Sequence, residues 1–255
     1  MGSQAAISGT QIGFPMLPDN DSRFRLFREW MRVCDRNHNS FECYPKKASR
    51  LPSRVLDVSG NRLRLHVSKP GERRKYVALS HCWGNLWQGH KRSFCTASAN
   101  LESRCTRGLD IDTLPKTFQD AITVTRELGK RYLWIDSISI IQYDDDLEDW
   151  RKESGQMGNT FGNAYVTIAA TSAGDATQGF LERPELRDAN LQFAKVYTIA
   201  HGTMHLSSIL NDYHSDVENG VLNQRAWVLQ ERALSRRTIH FTANQTYWEC
   251  GGGVR

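Results

Sequence analysis

The stretch YLWIDSISIIQYDDDLEDWRKESGQMGNTF, residues 132–161, has the pattern of a buried strand followed by a helix. It opens with an apolar run typical of a strand that is covered on both faces. Five acids then occupy the six positions 144–149, and acidic residues are favoured where a helix begins. Trp150, Met157 and Phe161 follow at helical spacing, which predicts an amphipathic helix whose apolar stripe faces a core.

Strands and helices alternate on both sides of this stretch. YVALSHCWG (76–84) and YVTIAATSA (165–173) are apolar runs typical of strands, and LPKTFQDAITVTRELG (114–129) is an amphipathic helix. Pro115 suits the beginning of that helix and Gly129 its end. The order strand, helix, strand, helix, strand predicts an α/β fold with a mostly parallel sheet flanked by helices.

The rest of the chain adds elements at both ends of this alternation. Residues 1–20 are small, polar and rich in Gly and Pro, which predicts a flexible tail. Residues 21–75 contain a helical pattern, DSRFRLFREWMRVCDR, and a hairpin pattern, SRVLDVSGNRLRLHVS, both expected to pack on a core formed by residues 76–255. Polar loops are predicted at 85–110 and 174–190, and beyond them come a helix over RAWVLQERALS and two strands, TIHFT and QTYWEC.

The composition is that of an ordinary globular protein. The chain has 255 residues, is 39% hydrophobic and carries a formal net charge of +5, too mild a charge to indicate a nucleic-acid partner. No apolar run reaches the ~20 residues that span a membrane, and the N-terminus lacks the pattern of a signal peptide. We therefore expect a cytoplasmic domain without a membrane span, whose six cysteines are free thiols.

Two predicted strand ends carry chemically useful side chains. His81, Trp83 and Gly84 end one strand and Asp136 ends the next, and ligands of such sheets bind beyond the carboxyl ends of the strands. Asp136 either contacts a ligand or caps the following loop. Cys82 is adjacent to His81, so the two side chains point to opposite faces of a strand and do not form a nucleophile–base pair.

Glu153 lies at the margin of the apolar stripe in the opening stretch. A carboxylate there is expected to be half-buried, which suits it to proton transfer or to stabilising a developing cation. The alternative is an ordinary ion pair with a lysine or arginine, or a side chain that reaches solvent.

Two sets of residues have the atoms of a metal site without the expected spacing. Cys34, His38 and Cys43 offer three ligands at a non-standard spacing, and the acidic run 144–149 lacks the spacing and the glycine of a calcium loop. Helix-end packing and helix capping explain both sets, so no metal site is predicted.

The segment RAWVLQERALSRR contains a group of polar and aromatic residues. Trp227, Gln230 and Glu231 share one face of the predicted helix, and Arg225 precedes it. This group forms either the wall of a site or a polar network that ties the helix to the core, and we favour the network.

Taken in order, five blocks resemble the fungal heterokaryon incompatibility (HET) domain. These are YVALSHCWG, LPKTFQDAITVTRELGKRYLWIDSISIIQ, DWRKESGQM, NAYVTIAA and RAWVLQERALSRRTIHFT. The resemblance implies a role in fungal allorecognition, in which family members trigger cell death after unlike cells fuse. The chain departs from the common pattern at His81, Ser139, Tyr143, Thr160 and Phe161.

HET domains are in turn remotely similar to TIR domains, which are flavodoxin-like and of which some cleave NAD at the nicotinamide–ribose bond. This similarity implies a TIR-like sheet with an additional hairpin and strands, and it matches Glu153 to the catalytic glutamate. The substrate site would be lined by His81, Trp83, Gly84, Asp136 and Trp150. NAD would be the substrate, and no cofactor is implied.

The sequence leaves three functions open. The first is NAD hydrolysis within a cell-death effector. The second is a non-enzymatic module that self-associates and acts through an incompatibility partner protein. This hypothesis predicts a filled site and exposed apolar patches on helix faces, whereas an enzyme needs a concave site around Glu153 with room for a dinucleotide. The third, a cysteine hydrolase acting through Cys82, has no partner residue to support it. The closing GGG at 251–253 is expected to mark the point where a longer chain was cut.

Overall fold

The computed structural model describes residues 20–38, 43, 48–85, 93–143, 147–182, 194–198, 202–206 and 212–254. The predicted tail lies almost wholly outside these residues, as do the three acids at 144–146. Seven α-helices are described, α1 Asn20–Asn37, α2 Ser98–Thr106, α3 Lys116–Glu127, α4 Asp136–Ser139, α5 Glu148–Ser154, α6 Met157–Asn163 and α7 Ala226–Leu234. Three short helical turns are Ile111–Thr113, His214–Glu218 and Val221–Gln224.

The described residues form twelve strands, eight of which make one sheet. The strands are β1 Ser49–Arg50, β2 Arg54–Asp57, β3 Arg64–Val67, β4 Arg73–Arg74, β5 Tyr76–Ser80, β6 Tyr132–Trp134, β7 Val166–Ala169, β8 Ala194–Thr198, β9 Gly202–Leu206, β10 Arg237–Phe241, β11 Thr246–Cys250 and β12 Gly253–Val254. The order in the large sheet is β12-β11-β10-β7-β5-β6-β2-β3. β1 pairs with β4, and β8 pairs with β9.

The centre of the large sheet is parallel. β5 pairs in parallel with β6 on one side and with β7 on the other, and β10 continues the parallel order beyond β7. The chain therefore moves from β5 outward to β6 and then crosses back past β5 to reach β7. In open α/β sheets, ligand sites form at the carboxyl ends of strands where the order reverses in this way.

The prediction of a mostly parallel sheet is wrong for the sheet as a whole, which is mixed. The β2–β3 hairpin joins β6 in the antiparallel sense, and β10, β11 and β12 form an antiparallel meander at the other edge. Connection length explains the β2–β3 hairpin and the β10–β11–β12 meander, because short turns allow only antiparallel pairing. It does not explain the β2–β6 pairing, which joins strands that are far apart in the sequence. The prediction of an α/β fold with added hairpin strands is confirmed.

Helices cover both faces of the sheet. Val77 and Leu79 of β5 belong to the core that includes residues of α1 and α3, whereas Tyr76 and Ala78 belong to a second core with Phe161 of α6. This division follows from the alternation of side chains along a strand. The predicted helices that became α1, α3 and α7 are confirmed.

Two helix predictions differ from the structure. The single helix expected after the acidic run is divided into α5 and α6, and the break falls at Gly155, a residue that disfavours helix interiors. The loop expected at 85–110 contains the helix α2. This helix has little apolar periodicity, and it is anchored by the buried Arg104 guanidinium, which donates to the carbonyl oxygen of Phe94 at 2.8 Å.

No helix among the described residues is long and apolar enough to cross a bilayer.

We expect Phe27→Ala to destabilise the protein by about 3–5 kcal/mol, the usual cost of a phenylalanine-sized cavity. Phe27 is fully buried, stacks on Trp30 at 5.4 Å and meets Phe241 edge-on at 5.6 Å, so the substitution removes contacts that join α1 to the sheet. Denaturant unfolding measures the change. Arg25→Ala, a change at an exposed position on the same helix, should leave stability nearly unaltered. Equal losses of stability in the two variants would contradict the claim that the buried contacts of Phe27 hold α1 on the sheet.

Candidate functional site

The chain segments that leave β5 and β6 meet at the carboxyl edge of the sheet. Trp83, three residues beyond β5, donates its indole N–H to Asp136 Oδ2 at 2.8 Å. Asp136 is the first residue of α4 and also accepts the backbone N–H of Ser137 through Oδ1 at 2.6 Å, so its carboxylate contacts both the indole and the first turn of this helix. The structure therefore brings together two of the residues predicted to line a site.

His81 is buried between this acid and the core. Its ring meets Phe118 of α3 edge-on at 5.0 Å, and its Nε2 lies 3.9 Å from Asp136 Oδ1, too far for a hydrogen bond. Burial lowers the pKa of His81, although Asp136 opposes that effect. The imidazole is therefore neutral at physiological pH, and within the described residues its Nε2 has no hydrogen-bond partner.

Glu231 reaches the same edge from α7. Its carboxylate accepts a hydrogen bond from the hydroxyl of Ser80, the last residue of β5. Burial raises the pKa of Glu231 to about 7, with a further contribution from the negative charge of Asp136. A carboxyl group with a pKa near neutrality can donate and accept protons at physiological pH.

Arg225, just before α7, supplies positive charge to this cluster. Its guanidinium donates to the backbone carbonyl of His81 at 2.7 Å and lowers the pKa of Glu231, against the effect of burial. Arg225 also lies beside Cys82, where burial nevertheless raises the pKa of the thiol. A buried, protonated thiol is a weak nucleophile, which gives the cysteine-hydrolase hypothesis no support.

Trp227 and Gln230 are placed differently from the other two residues of their segment. Both side chains are exposed, Trp227 to 58%. The polar connection between α7 and the strand ends therefore runs through Arg225 and Glu231.

Gly84 ends the β5 segment in a conformation that requires glycine. Its φ is +74°, and a Cβ built on it would lie 2.2 Å from the Cβ of Asp175. The chain after Trp83 thus passes directly against the loop that follows β7, which closes the edge of the sheet at this point.

Glu153 lies on α5 and is almost fully buried, with 6% of its surface exposed. The sequence predicted a half-buried side chain. Its Oε1 accepts a hydrogen bond from the hydroxyl of Ser53 at 2.7 Å. Ser53 immediately precedes β2, which runs antiparallel to β6, so it lies at the carboxyl end of β6. Glu153 and Asp136 therefore occupy the same edge of the sheet. Trp150, on the same helix, is 40% exposed.

Arg54 fixes the position of α5 at this edge. Its guanidinium binds Asp149 at the beginning of the helix and donates to the backbone carbonyl of Ser139 at 2.7 Å. Asp149 also accepts the backbone N–H of Ile141 at 2.8 Å. Sequence reasoning missed Ser53, Arg54 and Ser80, because their partners lie far away along the chain and no local pattern marks them.

A second set of side chains converges elsewhere in the fold. The four ligand atoms of Cys34, His38, Cys43 and Cys250 all lie within 4.8 Å of one another. The first three were the residues judged insufficient for a metal site, and the fourth comes from the end of β11.

The fold and the strand-end cluster define a mixed α/β domain with buried acids at the carboxyl edge of its parallel strands. The family model described as heterokaryon incompatibility protein (HET) matches residues 76–231, more than half of the chain, from the first residue of β5 to Glu231. The chain therefore belongs to the HET family, and this membership supports a general role in heterokaryon incompatibility. No curated protein and no solved structure matches the chain.

The raised pKa of Glu231 predicts that the folded protein loses stability as pH rises. Between pH 4.5, the ordinary pKa of a glutamate, and about pH 7, the folded state holds a proton that the unfolded state has released, so the free energy of unfolding falls. The loss of stability is at most about 3 kcal/mol. It is smaller than this bound because the side chain is partly exposed and solvent screens its charge.

Denaturant unfolding at pH 5 and pH 8 measures this effect as the difference between wild type and Glu231→Gln. Glutamine keeps the hydrogen bond to Ser80 and does not titrate, so the variant should lose less stability over this range. Glu102→Gln, which neutralises an exposed acid, should behave as wild type. An identical pH dependence in wild type and Glu231→Gln would rule out a raised pKa.

Proposed function

We propose that this domain cleaves NAD at the nicotinamide–ribose bond and acts as a cell-death effector in heterokaryon incompatibility. The observation that carries the proposal is that three acids, Glu153, Asp136 and Glu231, all lie at the carboxyl edge of the central strands. That edge is the usual ligand site of such sheets.

The strand order supports a TIR-like, flavodoxin-like core. Numbered along the chain, the parallel strands β5, β6, β7 and β10 are arranged as second, first, third and fourth. The flavodoxin-like order begins in the same way, and its ligand binds where the first and third strands diverge. Here that position is between β5 and β7, next to Ser80 and the segment containing His81 and Trp83.

The chemistry needs a carboxylate beside the ribose. When the C1′–N bond breaks, its electron pair leaves with neutral nicotinamide, and the ribose acquires oxocarbenium character that a negative group stabilises. Water then attacks C1′ and gives up a proton, so the products are nicotinamide, ADP-ribose and one proton.

We assign the stabilising role to Glu153. It is buried, so its charge acts in a medium of low dielectric constant, and Ser53 orients its carboxylate. Asp136 holds the indole of Trp83 at the same edge of the sheet, and we assign these two residues, with His81, Gly84 and Trp150, to the substrate site. Glu231, with a pKa of about 7, is suited to accept the proton from water.

The test is NAD consumption and nicotinamide release by the purified protein at high concentration. Glu153→Gln should lower the rate by about 100-fold or more, because it removes the charge and keeps the side-chain size. Glu148→Gln on the same helix neutralises an exposed acid and should retain wild-type activity.

The outcomes separate the roles of the acids. Loss of activity in Glu153→Gln alone assigns the stabilising carboxylate, and loss in Glu231→Gln with a changed pH profile assigns the base. Equal rates in wild type and both variants would indicate a contaminating enzyme. If wild-type protein that is shown to be self-associated does not cleave NAD, the enzymatic proposal is overturned.

A second candidate function is a self-associating module that signals through partners. The segment from Val221 to Leu234 exposes four large apolar side chains, with Trp227 at 58% and Leu229 at 71%. Trp227 and Leu234 are seven positions apart and share one face of α7, and an exposed apolar pair of this kind is typical of a contact surface. Moreover, Glu153 does not line the cleft under α7, which is formed by Ser80, Thr167, Ala169, Leu222, Asn223, Val228, Arg232, Thr238 and His240.

We expect the double variant Trp227→Gln, Leu234→Gln to self-associate more weakly than wild type, because it removes apolar surface on one face of α7 that contact would bury. Sedimentation velocity over a range of protein concentrations measures the difference. Val67→Gln, at an exposed apolar position on β3, is the matched control. Unchanged association in the double variant would exclude α7 as the contact surface.

A further inference from the structure

Four potential metal ligands converge from three separate segments of the chain. Cys34 and His38 lie at the end of α1, Cys43 follows five residues later, and Cys250 is the last residue of β11. Their ligand atoms, three sulfurs and one imidazole nitrogen, all lie within 4.8 Å of one another. Cys34 and Cys43 are fully shielded from solvent, with 1% and 0% exposed.

The backbone explains why these side chains meet. Cys34 and His38 are four residues apart, and the backbone N–H of His38 donates to the carbonyl of Cys34 at 3.2 Å, which continues the helical pattern. The two side chains therefore share one face of the helix. Cys250 is held opposite Arg237 by the β10–β11 pairing and opposite Gly253 by the pairing with β12.

The distances within the cluster match tetrahedral coordination. His38 Nδ1 lies 3.4 Å from the sulfur of Cys43 and 3.5 Å from the sulfur of Cys250. Zinc bonds of about 2.3 Å to sulfur and about 2.0–2.1 Å to nitrogen, at tetrahedral angles, place such S and N atoms about 3.6 Å apart. Nδ1 of His38 is thus the coordinating atom.

Groups around the cluster support thiolate ligands. The backbone N–H of Gly252 points to the sulfur of Cys250 at 3.4 Å, a contact that stabilises a thiolate. Gly252 also packs on the His38 ring, since a Cβ built there would lie 2.3 Å from Cε1.

A cationic side chain also lies beside such a centre. Three thiolates and a neutral imidazole around a divalent ion leave one excess negative charge. The buried guanidinium of Arg237 lies beside the cluster and donates to the carbonyl oxygen of Cys43 at 2.9 Å. Arg237 is ion-paired with Asp35 at 2.8 Å, so its charge is only partly available to the centre.

We propose that Cys34, His38, Cys43 and Cys250 bind one zinc ion in a Cys₃His site that fastens the end of α1 to β11. Three sulfurs and one nitrogen in a closed tetrahedron are the donor set of structural zinc. Binding displaces the three thiol protons, so the ion stabilises the folded state more strongly as pH rises. The sequence predicted no metal site because only three of the ligands are close together in it. The fourth, Cys250, lies 207 positions after Cys43 (250 − 43).

The first test is the metal content of the full chain, purified without chelator from zinc-supplemented cells. We expect about one zinc per chain, as a closed four-ligand site holds one ion. Replacement of zinc by Co²⁺ should give the visible absorption of a tetrahedral, thiolate-bound ion. Both measurements use wild-type protein and do not depend on whether any variant folds.

Variants then assign the ligands. Cys34→Ser and Cys250→Ser should lose most of the bound zinc and unfold at lower temperature than wild type. Cys105→Ser, outside the cluster, should keep zinc and stability. His38→Cys should retain the metal because four cysteines also form a structural zinc site, whereas His38→Ala should not.

Two results would overturn the proposal. One is wild-type protein that contains no stoichiometric zinc and shows no tetrahedral cobalt spectrum after incubation with Co²⁺. The other is an intact mass two hydrogens lower than that of the reduced chain, with peptide mapping that joins two of the cluster cysteines in a disulfide.

Discussion

The parallel pairing of β5 with both of its neighbours is the constraint on which the rest of the structure depends. All five residues of β5 are buried, so each backbone N–H and C=O there must find a partner within the protein. β6 and β7 provide these partners on the two sides. Because the three strands run in the same direction, the segments that follow them emerge at one edge, and this brings Trp83 to Asp136.

Two of the acids at that edge have polar side-chain partners. Burying an unpaired charge costs several kcal/mol, and here Asp136 accepts the indole N–H of Trp83 while Glu231 accepts the hydroxyl of Ser80. The guanidinium of Arg225 lowers the pKa of Glu231, but burial and the negative charge of Asp136 outweigh it. The pKa of Glu231 is therefore raised to about 7, and the site acquires a group that can exchange protons near neutrality.

The thiol cluster and the acid cluster lie at opposite edges of the parallel strands. Cys250 is paired with Arg237, the first residue of β10, so the thiol cluster lies at the amino edge, whereas Asp136 and Glu231 lie at the carboxyl edge. A metal at the amino edge would hold α1 against the sheet without altering the electrostatics of the acid cluster, because the length of the strands separates the two sites.

The sequence by itself determined the α/β alternation, the helices α1, α3 and α7, and membership of the HET family. It also identified the residues at two strand ends, which are His81, Trp83 and Gly84 after β5 and Asp136 after β6. Each of these rests on local periodicity or on blocks of adjacent residues, which a linear sequence displays directly. The proximity of Glu153 to the apolar stripe was predictable for the same reason, since it depends only on helical geometry.

Only the tertiary structure decided the mixed character of the sheet, the helix α2, and the partners of the polar side chains. Ser53 meets Glu153 across 100 positions and Ser80 meets Glu231 across 151, and Cys250 reaches His38 across 212. Such contacts depend on which strands become neighbours in the sheet. The order of the strands is determined by burial of the whole core and not by any single segment. The sequence therefore determined which chemical groups are present, and the fold decided which of them meet.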